Sequence, residues 1–587
     1  MVQMRLARLL RSHAGEVVAV FAFLVVQAVC ELSLPRYMSD IVNVGVVGAE
    51  TGNSAYLGHM ALVMFGFCAG SLVAAVLTGL IASRVAAAVA RDLRRKVFAK
   101  VMSFSPAEVN RFSQSSLITR CTNDVQQIQN MIVMMLRMVM LAPVMGVVAV
   151  VQVMTMGGGL AWIVGAALLA VLGVIAVLFV FTMPRFKAMQ TLVDRVNLIA
   201  REILDGIMTI RAFGRQDHEL ARFDGASGDL RDAQLFVNRA MMLMMPLMML
   251  VMNVTTVAIV WFGAHEVAAG AMQAGDMMAF ISYAMMIVMS FLIVSMVAVI
   301  LPRAEVSIGR IQEVLDVEPA VREAEHSTTP AADAPRGRLV FNHVSFRYPD
   351  AERDVVSDVS FSTAPGKMTA IVGSTGSGKS TLVQLAPRLY DPTAGTITLD
   401  GVDTRKMSLA DLRSRVGYVP QQGFLFSGTI ASNVAFGTDD ADEKDLRHAI
   451  DVAQATELVT QKEDGLETAI AQGGTNVSGG QRQRLAIARA LATHPEVLVL
   501  DDSFSALDYA TDARLRKALA REQSDTAVLV VAQRVASVMN ADQIIVLDDG
   551  RVVGQGTHEE LLRSCPEYLE IAKSQLSAKE LGLGEGE

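Results

Sequence analysis

Gly373-Ser374-Thr375-Gly376-Ser377-Gly378-Lys379-Ser380 follows the apolar run 368–372 and leads into a helix-like stretch. The octad is a complete GxxxxGK[ST] phosphate loop, and it stands between a strand and a helix, where that motif has its meaning. Its glycines let backbone N–H groups converge on the β- and γ-phosphates of a nucleotide, and the following helix presents its positive end. Lys379 adds a point charge, and the Ser380 hydroxyl can ligate Mg²⁺. The C-terminal half therefore reads as an α/β nucleotide-binding domain.

Further along come Val477-Ser478-Gly479-Gly480-Gln481 and then Val497-Leu498-Val499-Leu500-Asp501, an apolar strand ending in a carboxylate. Each is a weak signal alone. In this order behind the phosphate loop they resemble the signature motif and the Walker B strand of the ABC transporter family, and the resemblance covers essentially the whole chain. It implies ATP and Mg²⁺ as cofactors, with Gly373, Ser374, Thr375, Gly376, Ser377, Gly378, Lys379, Ser380 and Thr381 around the phosphates. By the same resemblance Tyr348 matches the aromatic that stacks on adenine. Gln421, in Val419-Pro420-Gln421-Gln422, matches the glutamine that contacts the metal and senses the γ-phosphate. Ser380, Gln421 and Asp501 would hold Mg²⁺, Asp501 through water. Ser478, Gly479, Gly480 and Gln481 would complete an ATP site across a dimer, and Ser505-Ala506-Leu507-Asp508 matches the D-loop at the dimer seam.

The front half shows what ATP would drive. Over 587 residues the chain is 52% hydrophobic and only 19% charged, with a mean hydropathy of +0.39, too apolar for a soluble protein of this size. Residues 60–83, 138–181, 240–264 and 277–301 carry no charge, and a membrane span needs roughly 20 apolar residues. The second run is long enough for two spans broken at Gly157-Gly158-Gly159, and a less pure run at 14–34 brings the total to six. Arg5, Arg8 and Arg11 precede the first span, and the segments 84–137 and 185–239 are rich in Arg and Lys, whereas the intervening segments hold only Arg36. Basic residues mark the inner side, so a multi-pass protein of the cytoplasmic membrane with both termini cytoplasmic is expected. No small-residue cleavage site follows the first apolar run, which argues against a cleaved signal peptide. The net charge of −8 adds little, and nothing in the chain points to nucleic acid.

The expected organisation is a membrane all-α six-helix domain with cytoplasmic helical extensions at 1–310, a linker at 311–337, an α/β P-loop ABC nucleotide-binding domain at 338–575 and a tail at 576–587. The long inner segments resemble those of type IV exporters, whose spans continue into the cytoplasm and end in coupling helices. Residues 112–120 with Asp124 look like the first coupling region, and Gly206-Ile207 with Ile210-Arg211-Ala212-Phe213 like the second. Residues 327–335, rich in Ser, Thr, Pro and Ala, should be mobile. Cys30, Cys68, Cys121 and Cys565 have neither metal nor disulfide spacing and read as small buried apolar residues. Methionine, 34 in all, clusters at 131–145, 241–252 and 272–296. It would serve as ordinary membrane filling, as the lining of a cavity for varied hydrophobic ligands, or, without a supporting Cys or His tract, as thioether ligands for copper(I). Arg137, His265 and Glu266 stand at the membrane margin, where interfacial snorkelling and a functional role are both open.

Two residues depart from the family pattern. Asp502 follows the Walker B aspartate where the family has a glutamate that polarises the attacking water, and it is one methylene shorter. Gln533, in Val530-Val531-Ala532-Gln533-Arg534, stands where a histidine is expected, and an amide neither carries positive charge nor exchanges a proton. Ala471-Gln472-Gly473-Gly474 also has glutamine where exporters often place glutamate. Asp502 and Gln533 are thus the catalytic positions of a degenerate site. The pattern resembles the degenerate-site subunit of bacterial heterodimeric multidrug-type exporters. It implies an ATP-hydrolysing translocase that moves a hydrophobic small-molecule, lipid or peptide substrate outward beside a second, non-identical half-transporter with the consensus glutamate and histidine. A slow homodimeric exporter and an importer on the same fold are the alternatives.

Overall fold

The computed structural model of the chain describes residues 10–47, 54–156, 159–324, 326–330, 336–438, 440–522, 525–577 and 581. It forms two compact units: Met1–Lys100 with Ser115–Asp316, and Val101–Gln114 with Val317–Glu587.

Among the described residues, six helices of the first unit are long and apolar enough to cross a membrane: Arg11–Gly45, Ser54–Met102, Gln114–Thr155, Ala161–Asp205, Gln216–Ala268 and Ala274–Ile293. They are referred to as spans one to six. All-helical spans follow from the bilayer, which offers backbone groups no water to bond. Large side chains such as Phe65, Leu72, Leu80, Leu169 and Trp261 point outward from them. Spans three and four are separate, as expected, although Gly157 and Gly158 lie outside the described residues. Ala28 and Leu32 of span one, Ala149 and Val153 of span three, Ile163 of span four, Ile259 of span five and Phe280 and Tyr283 of span six share one buried cluster. The Tyr283 hydroxyl is satisfied there by donating to the Leu32 carbonyl at 2.8 Å.

Several polar groups inside this unit are paired, which offsets their desolvation. Asp276 accepts from the Ser39 hydroxyl at 2.6 Å and from the Asn43 amide at 3.3 Å. Arg120 meets Glu313 at 2.8 Å, and Asp124 accepts from Ser307 at 3.0 Å. Three of the four cysteines correct the expectation of burial: Cys68 is exposed, Cys30 and Cys121 are half-buried, and only Cys565 is buried.

The described residues of the second unit carry twelve strands: β1 (Leu339–Phe346), β2 (Val356–Ser362), β3 (Met368–Val372), β4 (Ala394–Leu399), β5 (Val402–Asp403), β6 (Val416–Val419), β7 (Gly428–Thr429), β8 (Ala469–Ile470), β9 (Val497–Asp501), β10 (Ala527–Val531), β11 (Gln543–Asp548) and β12 (Arg551–Gly556). β2-β1-β4-β5 form an antiparallel sheet, and β12-β11-β3-β10-β9-β6 form a second sheet in which β11, β3, β10, β9 and β6 are parallel neighbours. β9 and β10 are buried along their whole length. That is why they read as unbroken Val/Leu runs rather than alternating ones.

The segment read as the first coupling region divides between the two units. Within the cassette unit lies the helix Pro106–Phe112, started by a Ser105/Glu108 capping box. Its Ala107 packs against the cassette core, and Glu108 also accepts from the Ala320 N–H at 3.1 Å. Arg120 and Asp124 instead belong to the helical unit. The capping serine and the proline at the first helical turn were the available signal. The second region is the helix Ile207–Ala212, which buries none of its residues and leaves Met208 and the adjoining Phe213 more than three-quarters exposed.

The segment leading into the cassette is not a free tether over its first part, which corrects the expected mobility there. Buried Arg388 donates to Asp391 at 2.6 and 3.1 Å and to the Arg322 carbonyl at 3.0 Å. Glu323 accepts from the Leu409 N–H, and the Thr328 N–H donates to Lys406. Residues 331–335 lie outside the described residues. Replacing Arg388 by Met unpairs Asp391 and releases the Arg322 carbonyl, which should cost about 2 kcal/mol. Thermal melting of the detergent-solubilised chain, with limited proteolysis across residues 322–330, checks this through a lowered midpoint and faster cleavage.

Candidate functional site

The parallel order of the six-stranded sheet brings the sequence motifs together. The phosphate loop follows β3, Gln533 lies just past β10, Asp501 and Asp502 stand at the end of β9, and Gln421 lies just past β6. All are at the carboxyl ends of neighbouring strands, where ligands bind in open α/β sheets.

The loop itself is built around glycine. Gly376 and Gly378 have φ of +87° and +92°, and a Cβ on Gly373 or Gly378 would lie 2.0 Å from the Leu547 carbonyl or 2.6 Å from that of Val355. The Lys379 ammonium donates to the carbonyls of Gly373 (2.9 Å) and Ser374 (2.6 Å) and to Ser377 Oγ (3.4 Å). Burial lowers its pKa, against the opposing pull of Asp502 and Asp501. The Ser380 hydroxyl donates to Asp501 Oδ1 at 2.8 Å, and Tyr418 donates to Oδ2 at 3.3 Å. Burial raises the pKa of Asp501 and that of Tyr418.

Asp502 is buried at 5% exposure and holds a left-handed backbone, φ +48°. One of its carboxylate oxygens, Oδ2, accepts from two amides: Gln421 Nε2 at 3.1 Å and Gln533 Nε2 at 2.8 Å. Both departures from the family pattern are therefore direct partners. Gln533 is held in turn by Gln575, whose amide donates to the Gln533 carbonyl at 2.9 Å while its Oε1 accepts from the Val535 N–H at 2.8 Å.

Tyr348 is tied by its hydroxyl to Thr381 at 3.1 Å and sits edge-on to Tyr390 and Phe346. Ser478 caps the helix Gly479–Leu491 in a capping box with Gln481, so the first turn of that helix carries unpaired N–H groups and its positive end. Gly480 lies against the Ala506 carbonyl, where a Cβ would come within 3.1 Å. Asp508 caps its own helix by accepting from the Thr511 N–H at 2.9 Å.

Three supporting residues escaped the motif reading: Tyr418, Gln575 and Gln483. Buried Gln483 accepts from the Gly423 N–H at 2.9 Å and donates to the Pro420 carbonyl at 3.1 Å, pinning the Gln421 loop to the signature helix. A glutamine among Leu485, Ala486 and Ile487 was the only sequence trace of it.

The residues fit a magnesium nucleotide. The loop is open to no side chain at Gly373, its left-handed glycines turn N–H groups toward one point, and Ser380 with Asp501 offers the hard oxygen donors that Mg²⁺ prefers. When bound, the metal would neutralise phosphate charge.

Residues 17–291 match the ABC transporter transmembrane region, and 356–505 match the ABC transporter ATPase model. An uncharacterized ABC transporter ATP-binding protein of Mycobacterium tuberculosis (strain CDC 1551 / Oshkosh) is 40% identical, over 99% of this chain and 100% of that protein. This chain belongs to the ABC transporter family. An ATP-dependent lipid A-core flippase of Pseudomonas fluorescens (strain Pf0-1) is 33% identical over 84% of this chain and 82% of the flippase. A bacterial Atm1-family ABC exporter with ATP bound superposes with a TM-score of 0.80 at 25% identity, covering 97% of this chain and 99% of the other. The family fixes the architecture: six membrane helices, then an α/β ABC ATPase domain that takes ATP with Mg²⁺. Exporters of this fold act as dimers.

Burial raises the pKa of Asp502, against opposing hydrogen bonds from Ser505 and Gln421. The folded state thus holds the Asp502 proton more tightly than the unfolded chain, so ionisation above the ordinary value of 3.8 costs stability. Asp502→Asn, which keeps an acceptor oxygen, should raise the melting midpoint of the nucleotide-free chain at neutral pH. The gain should shrink as pH falls toward 3.8. Melting curves of both proteins across that range test it.

Proposed function

We propose that this chain is one half of a heterodimeric ABC exporter, carrying a degenerate ATP site and lending an intact signature motif to a competent site on a non-identical partner. The observation that carries the reading is the Asp502 carboxylate, held at one oxygen by the amides of Gln421 and Gln533. A general base must reach its water with a free lone pair. Here the shorter side chain is drawn back between two donors, and no imidazole is present to take up charge at the γ-phosphate. Loss of one such group commonly lowers turnover by about two to three decades.

The competent site would pair the partner's phosphate loop with Ser478, Gly479, Gly480 and Gln481 of this chain. Support for a partner comes from Ile207–Ala212, whose exposed Met208 and Phe213 suit burial against another cassette. ATP would close the cassette pair, the helical extensions would pass closure to the spans, and a cavity open to the cytoplasm would open outward. Hydrolysis at the partner's site would reset it. Both termini would be cytoplasmic, by the distribution of Arg and Lys. The flippase relatives support a lipid-like amphipath as the class of substrate.

Expressed alone, the chain should bind ATP with turnover about two decades or more below that of the co-expressed pair. Brisk hydrolysis by the chain alone would favour the slow-homodimer alternative's stronger form, a competent homodimer. Ser478→Arg, at an exposed cap whose loss costs the fold only about 1 kcal/mol, should remove most activity of the pair.

Asp502→Glu by itself should recover little hydrolysis at the Lys379 site, because Gln533 still lacks a positive charge. Combined with Gln533→His, it should recover more than the two single gains together, since both groups act on one transition state. Site-resolved cleavage of nucleotide in the pair reads this, and additive gains would count against it.

A further inference from the structure

Spans one, two and three enclose a cavity of ≈ 480 Å³ lined by Leu24, Gln27, Ala75, Thr78, Asn130, Val133, Met134, Arg137, Met138 and Leu141. Most of its wall is apolar, yet Gln27, Thr78, Asn130 and Arg137 also line it, and the last three have N–H or O–H groups left to donate. Arg137 has no hydrogen-bond or ion-pair partner among the described residues, and its guanidinium lies against Gly79, where a Cβ would come within 3.7 Å of Cζ. Asn130 accepts from Gln126 through Oδ1 at 3.0 Å, which leaves its two N–H groups to donate.

Thr78 is the most telling. It is 2% exposed, and its hydroxyl makes no hydrogen bond. Threonines elsewhere in these helices satisfy theirs on the carbonyl one turn back, as Thr255 does on Val251 at 2.7 Å and Thr256 on Met252 at 3.0 Å. A buried hydroxyl left unpaired costs stability, so its place here calls for a partner that arrives from the cavity.

Glu31, one turn beyond Gln27, accepts from the Gln27 amide and from Ser71, each at 3.0 Å, and forms no ion pair with Arg137.

The backbone aims the cation. Pro143 cannot donate to the Val139 carbonyl, and its ring crowds that oxygen. The turn Met135–Val139 just before it is wound as a π-helix with Arg137 at its centre, a form of turn that recurs at functional sites. Thr78 lies six residues before Arg84, the first basic residue past the charge-free run 60–83 of span two, which puts the cavity roughly 9 Å into that run. Arg137 and Asn130 are exposed and so open to a ligand, and Thr78 is the buried member of the three.

We propose that this cavity is a binding site for an amphipath with an anionic head, a phosphate ester or carboxylate on an apolar tail. The Arg137 guanidinium would grip the head in its fork, Thr78 and Asn130 would donate to the remaining oxygens, and Leu24, Val133, Met134, Met138 and Leu141 would receive the start of the tail. The proposal rests on the exporter reading for its transport consequence, and on the cavity alone for binding.

The test uses the full chain with its co-expressed partner in nanodiscs of phosphatidylcholine alone. Binding of dodecyl phosphate, dodecyl trimethylammonium and dodecyl maltoside, which share one tail, is compared by native mass spectrometry and by stimulation of ATP turnover. The anion should bind best. Arg137→Met should weaken it about tenfold or more and leave the maltoside unchanged, while Arg137→Lys, which keeps the charge but not the fork, should fall between the two. Thr78→Val should weaken the anion severalfold yet raise the melting midpoint without ligand, which a purely structural role would not do. A second set of nanodiscs containing phosphatidylglycerol separates the sources: competition with dodecyl phosphate there assigns the head to a bilayer lipid, and its absence assigns it to a free amphipath. Equal binding of the three probes, or an unchanged anion preference in Arg137→Met, overturns the site. Loss of transport with anion binding intact would instead count against the exporter reading and leave the site standing.

Discussion

Parallel pairing of β3, β10, β9 and β6 is the constraint on which the cassette's chemistry depends. Parallel strands all end at the same edge of the sheet, so segments separated by up to 160 residues deliver their next side chains to one place. The phosphate loop, the two carboxylates, Gln421 and Gln533 meet there for that reason alone. Because both faces of β9 and β10 are buried, a register slip would have to drag Val and Leu side chains past the core. The spacing of the site is therefore as fixed as the core itself.

Inside that frame a single carboxylate oxygen gathers the unusual features of this chain. Asp502 takes two amide donors because a shorter acid leaves room for them and because a glutamine replaces the histidine. Gln575 and Gln483 then anchor the two amides from behind. The network joins the loop after β6, the end of β9 and the loop after β10, the three places where a γ-phosphate would be sensed.

The helical unit obeys a different economy. Its outward face needs only apolar side chains, so its composition announces membrane residence while saying little about purpose. What is specific sits inside: Tyr283 on the Leu32 carbonyl, Asp276 between Ser39 and Asn43, and the unpaired Thr78 beside Arg137. The first two are closed pairs that fix spans together. The third is open, and openness at a buried polar group is what separates a site from a staple.

Sequence alone determined the class of the chain and most of the nucleotide site. A phosphate loop between a strand and a helix, a charge-free run long enough for two spans and an Asp-Asp pair at the end of a Val/Leu strand are local patterns, and local geometry is all they need. It also named Asp502 and Gln533, because a substitution is visible wherever a family motif leads the eye. Tertiary structure decided the rest. That both residues share one oxygen, that Gln483 and Gln575 hold the loops behind them, that the cassette's helical contact begins at Ser105, upstream of Phe112, and that Thr78 faces Arg137 without a partner are all relations between distant segments. No periodicity encodes them, since a hydrogen bond across 31 to 212 residues is set by how the sheet and the spans pack, and by which polar groups that packing leaves unmatched.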